Sequence, residues 1–192
     1  MLGVRAATRG GSGSLCYASP VERRSVETIV RALNEAGVRY LIAGGLAVVA
    51  HGFVRFTADV DMVLDLDAEN VRRAVSALSS LGYRPRAPVP LERFAEAQER
   101  SRLVSERGMT VFSLFSPGHV ATELDLFVEL PFDFELVYAR AARLEVAPGT
   151  PAPFVSIEDL VEMKRKAGRP QDLLDIERLE SLRRPPEDGT RS

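Results

Sequence analysis

Residues 40–66 read YLIAGGLAVVAHGFVRFTADVDMVLDL, and the fold is decided within this stretch. Its opening continues a run of strand formers, Val38 to Ala43, that ends abruptly in Gly44-Gly45. A short apolar helix, GLAVVAHG, follows and stops at Gly52. From Arg55 to Leu66 the chain alternates. Phe56, Ala58, Val60, Met62 and Leu64 fall on one face and Thr57, Asp59 and Asp61 on the other, the period of two expected of a strand buried on one side. The order is therefore strand, glycine pair, short helix, strand, with two carboxylates on the polar face of the second strand.

Outward from this centre, helices and strands interleave irregularly. Upstream, Val26, Ile29, Val30 and Leu33 have the i, i+3, i+4, i+7 spacing of an amphipathic helix that Gly37 stops. Downstream, Asp67 and Glu69 open a helix with the stripe Val71, Ala74, Val75, Leu78 and Leu81, stopped by Gly82. After the Pro-rich YRPRAPVP, the pattern predicts a helix over Leu91–Arg102. Met109–Phe115, apolar on both faces, reads as a central strand. Thr122–Leu130 reads as another strand, with Leu124, Leu126 and Val128 opposite Glu123, Asp125 and Phe127. A short helix at Phe134–Ala141, a hairpin in RLEVAPGTPAPFV and two closing helices, Ser156–Ala167 and Gln171–Leu182, complete the reading. This predicts an α+β fold: a mixed sheet flanked by helices, with the C-terminal pair packed on the core. One domain is expected over residues 20–182, between a disordered leader at 1–19 and a disordered tail at 183–192.

Composition narrows the function. With 25 basic and 27 acidic residues the net charge is −2, which excludes a strongly basic nucleic-acid coat protein but not a local basic groove. A single cysteine, Cys16, excludes an intrachain disulfide, and with two histidines it leaves no Cys/His zinc site. The N-terminal stretch lacks the apolar core of a secretory signal, and no apolar run nears the roughly 20 residues of a membrane helix. A soluble, cytoplasmic protein is expected. The only lysines, Lys164 and Lys166, fall in one segment.

Asp59 and Asp61 carry the chemistry. At i and i+2 on one strand their backbones lie roughly 6.6 Å apart on a shared face, a separation that suits two divalent cations about 3.5–4 Å apart. Carboxylate-only ligation favours Mg²⁺ or Mn²⁺. Asp125, on a later strand, reaches the same ions if the two strands are neighbours; Glu123 shares its face as a weaker candidate. Asp65 and Asp67 repeat the spacing, but Asp67 reads as a helix N-cap and Asp65 as strand-end solvation. Gly44 and Gly45 let backbone N–H groups approach a triphosphate. Arg55 and Thr57 share the strand parity of Asp59, so guanidinium and hydroxyl can face the phosphates; a surface ion pair is the plain alternative for Arg55. Lys164 closes the stripe Ile157, Leu160, Val161, and either snorkels to water or meets the anion held by the glycines. Arg169 and Asp172 extend that wall, unless Asp172 only caps its helix. His51 reads as a residue that holds the turn through a backbone hydrogen bond; His119 has no partner nameable from sequence.

In this order the motifs resemble the polymerase-beta-type nucleotidyltransferase superfamily. Residues 40–66 look most like the branch of AbiEii-type toxins and small MNT-like proteins, as does DLVEMKRKAGRPQDLLDIERL at 159–179. Lincosamide and aminoglycoside nucleotidyltransferases carry a similar core. The resemblance implies that Asp59, Asp61 and Asp125 hold the metals, that Gly44 and Gly45 cradle phosphate, and that Lys164 lies near the nucleotide. It implies attack by an acceptor hydroxyl on the α-phosphate of a nucleoside triphosphate such as ATP, with loss of pyrophosphate. Asp125 also stands ready to take the acceptor's proton. A tRNA 3′ end, a protein hydroxyl and a small molecule all remain possible acceptors, and a cognate antitoxin is an implied partner. Much of the superfamily has Gly-Ser where this chain has Gly44-Gly45 followed by Leu46, which leaves only backbone donors at that turn. The expected function is thus a metal-dependent nucleotidyltransferase, plausibly a toxin. The competing readings are an inactive nucleotide-binding antitoxin or regulatory partner, and an acidic interaction domain.

Overall fold

The computed structural model describes residues 22–119 and 122–183. The leader expected at 1–19, with Cys16, and residues 184–192 of the expected tail lie outside the described residues; Arg183 ends the last helix. The chain runs α1 (Arg23–Glu35), β1 (Tyr40–Ile42), α2 (Gly44–Ala50), β2 (Asp59–Leu64), α3 (Ala68–Ser80), β3 (Arg84–Pro85) and a 3-10 turn (Leu91–Ala95). It continues through α4 (Ala97–Arg107), β4 (Val111–Phe115), β5 (Glu123–Phe127), α5 (Phe134–Ala139), β6 (Ala142–Ala147), β7 (Thr150–Phe154), α6 (Ile157–Ala167) and α7 (Pro170–Arg183). Among the described residues, no helix is long and apolar enough to cross a membrane.

The strands form one mixed sheet in the order β3-β4-β5-β2-β1-β7-β6. It consists of three antiparallel blocks, β3-β4-β5, β2-β1 and β7-β6, joined by two parallel seams. One seam pairs β2 with β5 and the other pairs β1 with β7. Alternation on the central strands works as the sequence requires. Val60, Met62 and Leu64 of β2, Leu124 and Leu126 of β5, and Phe112 and Leu114 of β4 are all fully buried. The same pleat turns Asp59, Asp61 and Asp125 to the other face. Helix α1 buries Val26, Ile29, Val30 and Leu33 and contacts α3 and the β6–β7 hairpin, while α6 and α7 pack on each other. The expected α+β architecture is the observed one.

Three expectations about elements are corrected. Residues 55–58 do not extend β2, which starts at Asp59. Phe56, expected on the core face, is 68% exposed, because this segment leaves the sheet to carry Arg55 towards α7 and to tuck Thr57 against Gly45. The helix expected over 91–102 is broken at Glu96, whose backbone is extended (φ −86°, ψ 118°). Leu91 and Phe94 bury at the i, i+3 spacing of a 3-10 turn, and Arg100 of the next helix closes back to donate to the Phe94 carbonyl at 2.8 Å. Strand β4, expected to be central, has only the two-residue β3 outside it. Its second face, Val111, Ser113 and Phe115, is incompletely covered.

Asp67 caps α3 as predicted, accepting from the Glu69 and Asn70 N–H groups at 3.0 and 3.2 Å. Asn70, in the first turn of α3, ties this helix to the middle block. Its side-chain oxygen accepts from Arg39 N–H at 2.8 Å, and its amide donates to the carbonyls of Arg39 at 2.9 Å and Asp65 at 2.8 Å. Asn70→Ala takes the partner from the part-buried Arg39 N–H and Asp65 carbonyl, and one of two donors from the Arg39 carbonyl, where β1 begins and β2 ends. It should cost about 2–4 kcal/mol in urea unfolding. A loss below about 1 kcal/mol, within the range of one ordinary hydrogen bond, would remove Asn70 from this bracing role.

Candidate active site

The β2–β5 seam brings the predicted carboxylates together. Asp59 lies opposite Glu123 and Asp61 opposite Asp125 in register, on strands spaced about 4.8 Å apart. Above them is a slot of about 490 Å³. Asp59, Asp61 and Asp125 line it with Gly44, Gly45, Arg55 and Lys164, so seven of the eight residues picked from the sequence share one cavity. Thr57, the eighth, is buried against Gly45.

Gly44 and Gly45 are the first two residues of α2 and not a separate turn before it, with Gly44 at φ +58°. Their neighbours explain why both lack side chains. A Cβ on Gly44 would stand 1.7 Å from Asp61 Oδ2, and one on Gly45 would stand 2.5 Å from Thr57 Oγ1 and 3.2 Å from Arg55 Cζ. The side chains of β2 and of the segment before it thus fill the space that the glycines leave. The Gly45 N–H donates to the Asp61 carboxylate. Thr57 Oγ1 donates to Asp59 Oδ1 at 3.0 Å. Ser113, opposite Asp125 on β4, hydrogen-bonds the Asp125 carboxylate. Asp125 Oδ1 itself is buried with no hydrogen-bond partner.

Three acids so placed disturb one another. Burial, reinforced by the charges of Asp59 and Asp125, pushes the Asp61 carboxyl from 3.8 up to about 7, against the opposing pull of the Gly45 N–H and Lys164. Burial also raises Asp125; the Ser113 hydrogen bond opposes this, and the charges of Asp59 and Glu123 add to it. Carboxylates held against their own repulsion are suited to cations.

The basic wall is built differently from either reading of the sequence. Lys164 neither snorkels to water nor stands bare: Nζ donates to Asp172 Oδ1 at 3.1 Å and to Asp175 Oδ2 at 2.8 Å. Arg55 bonds the same Asp175 oxygen. Asp175, 0% exposed, receives Gln171 on its other oxygen at 3.2 Å. Asp172 both pairs with Lys164 and accepts the Arg169 N–H at 3.2 Å, so its two expected roles coexist. Arg169 lines the slot. Asp175 and Ser113 escaped the sequence reading. The signal for Asp175 was its place with Asp172 and Leu179 on one stripe of the closing helix; Ser113 offered none. The histidines stand outside the slot. His51 Nε2 meets the Val155 carbonyl at 2.8 Å, bracing the approach to α6 and not its own turn, and His119 bonds Ser25 at 2.8 Å and stacks on Tyr83.

Oxygen donors alone, mutual repulsion and the partnerless Asp125 oxygen suit a hard divalent cation. Among the described residues no three His, Cys, Asp or Glu side chains already close on a common point. Asp61 is turned to Gly45, Asp59 to Thr57 and Asp125 to Ser113. Rotation of these short side chains away from their local partners is what a metal would require.

Comparison with known proteins identifies the fold. No family model and no curated protein sequence matches the chain. Solved nucleotidyltransferase structures do match. The lincosamide antibiotic adenylyltransferase LnuA, lincomycin-bound, superposes with a TM-score of 0.56 at 15% identity, over 84% of this chain and 98% of its own. The antibiotic-resistance factor ANT(2″)-Ia in solution gives 0.53 at 20%, over 83% of each chain. An antigenic nucleotidyltransferase-like protein from Paracoccidioides brasiliensis gives 0.52 at 19%, over 83% of this chain and 75% of its own. The fold is that of the nucleotidyltransferases.

Two measurements test the geometry. Asp61 keeps its proton in the folded chain up to about pH 7 but releases it near 3.8 when unfolded. Its contribution to stability is therefore full below the lower value, falls as pH rises between the two, and is gone above the higher one. In EDTA, Asp61→Asn should match wild type near pH 4 and exceed it by on the order of 2–4 kcal/mol at pH 8; a gap that does not widen with pH refutes the upward shift that burial, reinforced by Asp59 and Asp125, imposes on Asp61. Separately, Gly45→Ala should destabilise, and the penalty should shrink by about 1 kcal/mol or more in a Thr57→Ala background. Additive penalties would mean that the two residues do not compete for one space.

Proposed function

We propose that this protein is a nucleotidyltransferase that moves a nucleoside monophosphate from a triphosphate to an acceptor hydroxyl. The observation that carries the reading is the β2–β5 register, which delivers Asp59, Asp61 and Asp125 into one slot beside Gly44-Gly45. Asp59, Asp61 and Asp125 would hold Mg²⁺ or Mn²⁺, which when bound neutralises phosphate charge and favours loss of the acceptor's proton. The Gly44-Gly45 backbone would receive the phosphates at close range. Arg55 and Lys164 would supply positive charge, their directions set by Asp175. The Thr57 hydroxyl fills the space beside Gly45 but is buried and donates to Asp59, so the Gly44-Gly45-Leu46 turn would offer backbone donors alone, and the expectation that Thr57 faces the phosphates is corrected. In the reaction the acceptor oxygen bonds to the α-phosphorus and the α–β bridging bond breaks. Pyrophosphate leaves, and the hydroxyl proton passes to Asp125, whose Oδ1 has no other partner.

The finer placement, a toxin of the AbiEii-like branch acting in the cytoplasm beside an antitoxin, is supported by the likeness of residues 40–66 and 159–179. The structures with the same fold include one named a lincosamide antibiotic adenylyltransferase, which supports an adenylyl donor and a small acceptor as a second possibility. Induced expression should arrest a bacterial host, with Asp61→Asn relieving it. Growth unaffected by wild type would remove the toxin role and leave the transferase reading standing.

Mg²⁺ with a nucleoside triphosphate should raise the melting temperature, and Asp59→Asn with Asp61→Asn should abolish the rise. With α-labelled triphosphates and pooled RNA, protein or metabolites, label should pass to one pool. Asp125→Ala should reduce transfer by at least about a hundredfold, the scale of a lost general base. Binding without transfer to any pool would favour the inactive regulatory partner.

A further inference from the structure

Across the sheet the slot changes character. Every basic residue that lines it, Arg55, Lys164, Lys166 and Arg169, comes from the segment before β2 or from the C-terminal part of α6 and the turn beyond. The lining beyond Asp125 on β4 and β5 is Val111, Phe127 and, just after, Pro131, and Leu160 and Met163 of α6 add apolar surface to the slot. Val111 and Phe127 are register partners, so they form a continuous apolar floor directly beyond Asp125.

We propose that this apolar end seats the acceptor, and that the acceptor is a small hydroxyl-bearing molecule with an apolar or aromatic body, not a polyanion. The inference rests on the transferase reading above. In an in-line displacement the attacking and leaving oxygens lie on opposite sides of the phosphorus. The glycines that would hold the phosphates follow β1, on one side of Asp59 and Asp61; the sheet order β4-β5-β2-β1 puts Asp125, Phe127 and Val111 on the other. The attacking hydroxyl therefore comes from the β5–β4 side, over Phe127. An RNA acceptor needs cations along its phosphates; none lines the slot at Val111, Phe127 and Pro131, and Arg86, the nearby cation on the β4 side, is paired with Glu123. The whole slot, at about 490 Å³, has room for a small ligand beside a nucleotide's phosphates and falls within the usual range of roughly 300–1,000 Å³ for such sites. Phe127 and Met163 supply the flat and the adaptable surfaces that an aromatic body packs against.

The test uses full-length protein carrying ¹³C-methyl methionine, in which Met163 lines the slot and Met62 is a buried control on the opposite face of β2. The probe is 4-propylphenol, titrated with Mg²⁺ and α,β-methylene-ATP present. The Met163 methyl resonance should move and saturate while Met62 stays fixed. Phe127→Ala, or Met163→Ala followed through a Val111 methyl label, should weaken the probe at least fivefold, with nucleotide affinity changed less than twofold and unfolding curves confirming a folded protein. Displacement of the probe by the nucleotide would overturn the proposal, because the apolar end would then seat the base. A short RNA with a free 3′ hydroxyl that binds more tightly than the probe and moves Met163 would overturn it too. If the nucleotide fails to bind, the transferase reading falls and takes the acceptor with it. If the nucleotide binds and the probe does not, the acceptor proposal alone fails.

Discussion

The close approach of Gly44 and Gly45 to the side chains around β2 governs this molecule. Asp61 Oδ2 occupies the position of a Gly44 side chain, and Thr57 Oγ1 crowds that of Gly45. The approach sets how α2 leaves β1, since any bulk at either glycine would push helix and strand apart. It also turns Asp61 towards a backbone N–H and Thr57 towards Asp59, so the two carboxylates of β2 are oriented by the same contact. The glycine pair is thus the steric complement of an acidic strand.

The second organising feature lies on α7. Asp172 and Asp175 face Lys164 and Arg55 in a compact group of two acids and two bases, with Lys164 and both acids buried. Taking such groups out of water is costly, and the balance of charge with multiple hydrogen bonds offsets it. Removing one member would leave its partners buried and uncompensated. The closing helix is therefore part of the site's wall as well as of the core, and the α6–α7 pair cannot be trimmed without disturbing Arg55, which Asp175 holds.

Much of this was legible because it follows from short-range pattern. The alternation in β2, the cap at Asp67, the stop at Gly37 and the Ser156 cap, which accepts from Asp159 N–H at 3.2 Å, are each decided within a few residues. Asp59, Asp61 and Asp125 could be picked out because acids alternating with buried apolar residues mark a polar strand face. What escaped depended on tertiary partners. Residues 55–58 keep a strand's alternation, yet Arg55 is drawn off by an acid on α7. Leu91–Arg102 has helical composition, yet it breaks at Glu96 and Arg100 closes back on the Phe94 carbonyl. Phe115 looks like a core residue, yet only a two-residue strand borders it. Asp175 was missed because a buried acid on a helix is indistinguishable in sequence from a solvated one until its cations are located.

The three-block sheet has a consequence for how the protein comes to exist. Antiparallel pairs inside each block join segments near in sequence, whereas the parallel seams join β2 to β5 and β1 to β7 across long stretches of chain. Closing such loops costs chain entropy before any contact rewards it, so non-local pairings form slowly. Asp61 and Asp125 face each other across one of those seams, and the α6–α7 cluster follows from the other. The acidic slot thus exists only once a long-range seam has closed. A partly folded molecule can possess every hairpin and most helices and still have no site at all.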